Sequence, residues 1–165
     1  MSANVEQPGL RPGARVGVDV GGARVGVAYC DNNGILASPF ATLKRNVNDL
    51  SGVAELVDTL QAIEVIVGLP LNMDGTEGKS AKEARRWARR LARWIDPIPV
   101  RLVDERLTTV SAHRVLHEAG RKEISHRDVV DQASAVIILD NALDYERNTG
   151  SPPGQPVTIS PGGQG

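Results

Sequence analysis

The sequence holds a single cysteine, Cys30, and almost no aromatic side chains: two Trp, two Tyr and one Phe in 165 residues. One cysteine excludes an internal disulfide and a thiolate metal centre, and it fits a reducing compartment. Cys30 lies in an apolar stretch, where a thiol packs as a small hydrophobe. With so few aromatics the core has to be built from Val, Ile, Leu and Ala. No apolar run approaches the ~18 residues of a membrane span, and residues 1–13 lack the apolar stretch of a signal peptide. A cytoplasmic location without a membrane partner is the expectation. An excess of one charge is missing as well. The formal net charge is −1, so the global basic footprint of many nucleic-acid binders is absent. Any such binding has to rest on local basic patches and on bound metal.

What is present reads as one domain between two tails. Residues 1–13 carry two Pro and two Gly without periodicity and are expected to form a flexible arm. The last eighteen residues, 148–165, contain five Gly and four Pro and read as a disordered tail. Between them, residues 14–147 show a change of period. Ala14 to Val20 and Arg24 to Cys30 alternate as strands. The Asp31-Asn32-Asn33-Gly34 turn leads to a third strand, Ile35 to Ala41. Leu50, Val53, Ala54, Val57 and Leu60 recur at helical spacing, with Asn48 or Asp49 as N-cap. Val65 to Val67 is a buried strand. Ala84, Trp87, Ala88, Leu91, Trp94 and Ile95 form the inner stripe of a second helix, which Pro97 and Pro99 end. Val100 to Asp104 is a fifth strand. Helices over about Thr109–Ala119, closed by Gly120, and Arg127–Tyr145, opened by a Ser125/Asp128 capping box, complete the domain. Strand–helix–strand units demand parallel neighbours with right-handed crossovers. The order β-β-β-α-β-α-β-α-α therefore predicts a five-stranded mixed α/β sheet, an antiparallel meander plus parallel strands, flanked by helices.

In such a sheet, sites form at the carboxyl ends of the parallel strands. Asp19 stands there on strand one before Gly21-Gly22, and Asp104-Glu105 stand there on strand five. Asp131, one turn inside the last helix, reaches the same edge if that helix packs across the sheet. A carboxylate in apolar surroundings is costly unless paired or metal-bound. Taken singly, Asp19 also reads as a turn brace and Asp131 as a complement to its helix dipole. Successive strand residues face opposite sides, so only one of Asp104 and Glu105 enters the site. Spacing does not say which.

Four segments then match a known family: Val16-Gly17-Val18-Asp19-Val20-Gly21, Ile66 through Glu77 (IVGLPLNMDGTE), Asp104 through Thr109 (DERLTT) and Val130 through Leu139 (VDQASAVIIL). In this order they resemble the YqgF family, also called RuvX, of bacterial RNase H-like nucleases. The resemblance covers residues 14–145. It implies an RNase H-like fold and hydrolysis of nucleic-acid phosphodiester bonds. It carries the family's three acids onto Asp19, Glu105 and Asp131, choosing Glu105 over Asp104 by analogy. Such carboxylates hold one or two Mg2+ or Mn2+ ions, hard cations that prefer oxygen ligands. The family is linked both to maturation of the 5′ end of pre-16S rRNA and to Holliday-junction resolution. The nucleic-acid partner is accordingly pre-rRNA or branched DNA, the latter implying a homodimer.

Arg24 and Arg106, adjacent to the acids, read equally well as phosphate ligands and as ion-pair partners. Arg86, Arg89 and Arg93 form a basic stripe on the second helix, either a phosphate track or a solvated outer face. Gly78-Lys79-Ser80 fails as a phosphate loop because the required first glycine is Met73. His113 and His117 lack the further ligands of a zinc site. Two rival functions remain. A sugar kinase is suggested by Asp19-Val20-Gly21-Gly22, but it needs two lobes. A non-catalytic nucleic-acid-binding or ribosome-associated module is the other, and the intact acids speak against it.

Overall fold

Strict alternation in β1 (Arg15–Val20) and β2 (Arg24–Cys30) divides their side chains between two faces of one sheet. Val16, Val18, Val20, Val25 and Val27 enter one apolar cluster, while Ala28 and Cys30 enter another on the opposite face. The structure is a computed structural model, and it describes residues 9–106 and 126–159. After β3 (Ser38–Lys44) come α1 (Val47–Leu60), β4 (Glu64–Leu69), α2 (Lys79–Ile95), β5 (Val100–Asp104), α3 (His126–Thr149) and β6 (Gln155–Pro156). The sheet order is β3-β2-β1-β4-β5-β6. β1 runs parallel to β4, and β4 to β5, whereas β2, β3 and β6 join antiparallel. Both α1 and α2 return from the carboxyl edge to the amino edge and cover the valine face. Trp87 anchors them together, its indole N–H donating to Asp49 Oδ2 at 2.9 Å. The opposite face is covered by α3 through Ala135, Val136, Ile138, Leu139, Ala142 and Leu143.

The mixed α/β sheet is as expected, with one strand more. In the described stretch beyond Asn148, α3 continues to Thr149, and Gln155–Pro156 pair with Leu102 and Arg101 on β5. Arg101 Nε donates to the Pro153 carbonyl at 2.6 Å, and Val157 and Ile159 pack on the valine-face core. Proline is tolerated here because β6 is an edge strand. The arm is likewise docked in part, since Arg11 reaches Glu64 and Glu146, both at 2.9 Å. The third strand starts at Ser38 rather than Ile35. Backbone donors between turn and strand go elsewhere: Asn33 and Gly34 N–H to Asp31 Oδ1, and Ala37 N–H to Asp140 Oδ1 on α3. Asn46, not Asn48 or Asp49, caps α1, accepting from the Asn48 N–H at 2.7 Å. Trp94 is 52% exposed, unlike Trp87 at 1%. It sits two turns further on, in a groove between the ends of α1 and α2 that the small residues Ser51 and Ala54 leave open. The expected helix over 109–119 and Ser125 of the capping box lie outside the described residues.

The amino edge is held by charge in the interior. Arg15, 1% exposed, bonds to Glu146 at 3.2 Å and lies 3.8 Å from Glu64. Burial works to raise the Glu146 carboxyl, but hydrogen bonds from Arg11 and the charge of Arg15 hold it below the usual range. Removing one partner of a buried pair leaves the other uncompensated. Glu146→Ala is therefore expected to cost about 3 kcal/mol, the lower end for such a break because Glu64 remains. Urea unfolding of the variant beside the parent checks this.

Candidate active site

Side-chain parity brings four positions together on the α3 face at the carboxyl edge. Asp19 on β1 lies directly opposite Gly26 on β2. On the other flank Val18 matches Val67, so Gly68 on β4 follows at the level of Asp19. Gly68 pairs with Val103 on β5. Two residues after Val103 comes Glu105, whose backbone N–H still bonds to the Leu69 carbonyl at 3.2 Å. Glu105 thus keeps the parity of Val103 and faces α3. Asp104 has the opposite parity, and its carboxylate is taken by Arg106, with Nη2 at 2.7 Å from Oδ2. This parity places the Glu105 side chain, rather than that of Asp104, on the same sheet face as Asp19.

The two glycines make the hollows in which the acids sit. A Cβ at Gly26 would collide with the Asp131 carbonyl oxygen. A Cβ at Gly68 would lie 2.6 Å from Ile138 Cδ1 and 2.7 Å from Glu105 Oε2. The first turns of α3 therefore rest on β2 backbone, and the Glu105 carboxylate rests on β4 backbone. Asp19 stands between them. Burial, reinforced by the charge of Asp131, raises its carboxyl from 3.8 to about 6. Burial, then the charges of Asp19 and Asp104, raises Glu105 from 4.5 to about 7. Asp131 is held by Arg24, whose Nε is 2.9 Å from Oδ2. Among the described residues, neither Asp19 nor Glu105 has a cation or a hydrogen-bond donor. As they stand, no three acids among the described residues are close enough to close on a single ion. The set is nevertheless all oxygen, anionic and underneutralised, the donor chemistry that suits a hard divalent cation.

The other residues singled out in the sequence fall elsewhere or are engaged. Arg24 is an ion-pair partner of Asp131. Arg106 bridges Asp104 to the Met73 carbonyl, at 3.2 Å from its Nη1, and so pins the 70–78 loop to the end of β5. Arg86, Arg89 and Arg93 ride on α2, on the sheet face opposite the acids, and Arg86 pairs with Glu83 at 3.0 Å. Arg93 lies some fourteen residues into α2, ~20 Å along the helix from the acid edge. The structure does not bring this stripe to the site. Sequence reading passed over Gly26 and Gly68, although a glycine inside a strand pattern is a known sign of close backbone approach.

With this geometry established, the class of the domain is defined: an RNase H-like α/β fold with acids at the carboxyl edge. Two Thermus thermophilus RuvC structures share the fold. One is RuvC in complex with a Holliday junction substrate, with TM-score 0.57, 14% identity and coverage of 87% of this chain and 98% of that one. The other has TM-score 0.54 and 17% identity over 87% and 99%. More specifically, the chain belongs to the RuvX family, described as Holliday junction resolvase, which it matches over residues 13–145. Relatives from Kineococcus radiotolerans (50% identical, 90% of this chain and 80% of that protein) and Thermobifida fusca (48%, 92% and 100%) both bear the name "Putative pre-16S rRNA nuclease". A Mycobacterium leprae protein of the same name is 53% identical over 82% of this chain and 74% of its own length.

Two outcomes follow from this site. Because the hollow at Gly26 is filled by α3 backbone, Gly26→Ala is expected to destabilise the fold by about 2 kcal/mol, as overpacking does; chemical denaturation measures it. The second concerns pH. Asp19 and Glu105 are harder to ionise folded than unfolded, so their contribution is full below about pH 4 and is lost as pH rises through 6 and 7. In EDTA, the fall in melting temperature from pH 5 to pH 8 should be smaller for Asp19→Asn and Glu105→Gln than for the parent. Equal slopes would show that the two acids do not strain the empty site.

Proposed function

We infer that this protein is a metal-dependent nuclease that hydrolyses nucleic-acid phosphodiester bonds, with the 5′ end of pre-16S rRNA as its substrate. The observation that carries this reading is Asp19, set between the charges of Glu105 and Asp131 with no cation of its own among the described residues. The names of the half-identical relatives support the choice of substrate. In this reading Asp19, Glu105 and Asp131 hold Mg2+ or Mn2+. Ions bound there supply Lewis-acid activation of water and neutralise charge that grows on the phosphoryl oxygens.

The protein's own residues set the conditions for that chemistry. Asp19 and Glu105 have to lose protons to become ligands, so ion binding strengthens with pH between about 5 and 8 and releases protons as it does so. Arg24 fixes the Asp131 carboxylate on the β2 side, and Arg106 fixes the neighbouring loop. Gly26 lets the first turns of α3 carry Asp131 close to β2, and Gly68 lets the Glu105 carboxylate lie against β4. No described helix is long and apolar enough to cross a membrane, and a cytoplasmic site of action agrees with an RNA substrate.

A second reading, resolution of four-way DNA junctions by a homodimer, is favoured by the RuvC fold and the family description. Both are tested by incubating the protein and its Asp19→Asn variant with labelled pre-16S rRNA and with a four-way junction, each in Mn2+, Mg2+ or EDTA. Cleavage of the RNA is expected only with metal, and the variant should lose roughly a thousandfold or more, as when one member of a catalytic unit is removed. Cutting of the junction alone would replace the RNA reading. Metal-independent binding without cleavage, equal in parent and variant, would leave a non-catalytic module.

A further inference from the structure

A cavity of about 470 Å³ opens directly beside Glu105, between α3, the end of β5 and the 153–155 segment. One stripe of α3 forms its wall: Ser134, Ile137, Ile138, Asn141 and Tyr145 recur at helical spacing. From Ser134 to Tyr145 the stripe runs ~16 Å, at 1.5 Å per residue. The floor is apolar, with Val103 on β5 and Ala142 on α3. Ile138 ties the two sites together, since its Cδ1 and the Glu105 carboxylate crowd the same hollow over Gly68. Tyr145, 47% exposed, stands at the distal end. The chain segment after α3, with Gly154 and Gln155, closes the far side.

The chemistry of the lining selects the ligand. Among the described residues of the lining, the charged groups are Asp104 and Glu105, at the end shared with the acid site. The remaining polar groups, Ser134, Asn141, Tyr145 and Gln155, are neutral donors and acceptors set around apolar walls. Among the described lining residues phosphate finds no cation, and the two carboxylates would repel an acidic ligand. A flat, uncharged group with hydrogen-bonding edges fits instead, and such a group flanks every scissile phosphate: the nucleobase. Bases can enter only when unpaired, because a duplex presents its backbone. The groove is also long enough for more than one nucleotide.

We propose that this groove is a binding site for unpaired nucleobases next to the scissile phosphate, with Tyr145 as its stacking platform and Ser134, Asn141 and Gln155 as contacts to base edges. This rests on the nuclease reading above and narrows it to a single-stranded substrate. A strand whose phosphate lies against Asp19 and Glu105 then runs along α3 with its bases turned into the groove.

The test uses the full chain carrying Asp19→Asn, so that no cutting occurs, and a 12-nucleotide single-stranded RNA with 2-aminopurine at successive positions, in Mg2+. Binding is followed by anisotropy and stacking by 2-aminopurine quenching. Tyr145→Ala is expected to weaken single-strand binding roughly tenfold, the scale of one lost base–aromatic stack, and to abolish quenching at one or two adjacent positions. Tyr145→Phe should restore both. Binding of a duplex of the same sequence should be unchanged by either substitution. Gln155→Ala, at an exposed position, should weaken the single strand alone. Unaltered affinity and quenching in Tyr145→Ala, or equal losses for single strand and duplex, would overturn the proposal. The two readings fail separately. A parent protein that cuts RNA with metal while Tyr145→Ala leaves KM unchanged keeps the nuclease and removes the groove. Tyrosine-dependent binding of single strands by a parent that never cuts does the reverse.

Discussion

Everything at the acid edge depends on how closely α3 lies against the sheet. Side-chain-free backbone at Gly17 and Gly26 allows it: a Cβ at Gly17 would come within 2.7 Å of Leu139 Cβ, and one at Gly26 would collide with the helix backbone at Asp131. The contact is secured along its length by Ile66, Leu139 and Leu143. It is secured at the far end by Arg15 and Glu146, and at the margin by Asp140 and Arg147, which hold the β2–β3 connection through Ala37 and Gly34. Burial of this many apolar side chains contributes tens of kcal/mol before entropy is subtracted. Against that background the position of Asp131 is dictated by packing. Its own ion pair with Arg24 is a minor part of what holds it there.

That independence allows an electrostatically unfavourable cluster to persist. Elsewhere several of the described acids are paired with arginines: Glu77 with Arg85, Glu83 with Arg45 and Arg86, Asp104 with Arg106, Asp144 with Arg147. Even Glu64 and Glu146, deep at the amino edge, have arginines. At the carboxyl edge Asp19 and Glu105 instead face each other's charge in a buried setting, and both are shifted toward protonation. A fold that gives the buried Glu64 and Glu146 their arginines and leaves Asp19 and Glu105 opposed has placed electrostatic strain at the acid edge. Such strain is the usual cost of a site that gains its counterions from outside.

Much of this was legible in the sequence, and the reasons are physical. Valine alternation with period two fixed the faces of β1 and β2, and strand–helix alternation required the parallel β1-β4-β5 core. The acids were legible as an edge because parallel strands share their carboxyl ends. What failed did so where local signals are outvoted. Ile35 and Leu36 look like a strand, but Asp140 and Arg147, more than a hundred residues away, claim the backbone around them. The Gly/Pro-rich tail looks unstructured, yet two of its residues suffice to pair with an open β5 edge. Trp94 has the spacing of a core residue, yet it lines an open groove beside Ser51 and Ala54 of α1 and is half exposed. The basic stripe on α2 was visible as charge, but not as lying on the wrong face, since that follows only from the right-handed crossover placing α2 opposite α3.

The choice between an RNA end and a DNA junction can be argued from the same constraints. Cutting a junction symmetrically requires two acid edges in one particle. One exposed sheet edge is β3, with Ile35, Leu36 and Phe40 at or near it. That strand carries Pro39, which lacks a ladder donor, and ends in exposed Lys44, the features by which edge strands resist pairing with another sheet. At the other edge β6 is two residues long and proline-bearing. Among the described residues, both edge strands carry a proline that disfavours continuing the sheet into a second copy. The acid site, meanwhile, opens beside Glu105 into the largely apolar groove proposed above for unpaired bases. Protected edges and that proposed groove favour action on one strand at a time, as trimming of a precursor RNA requires.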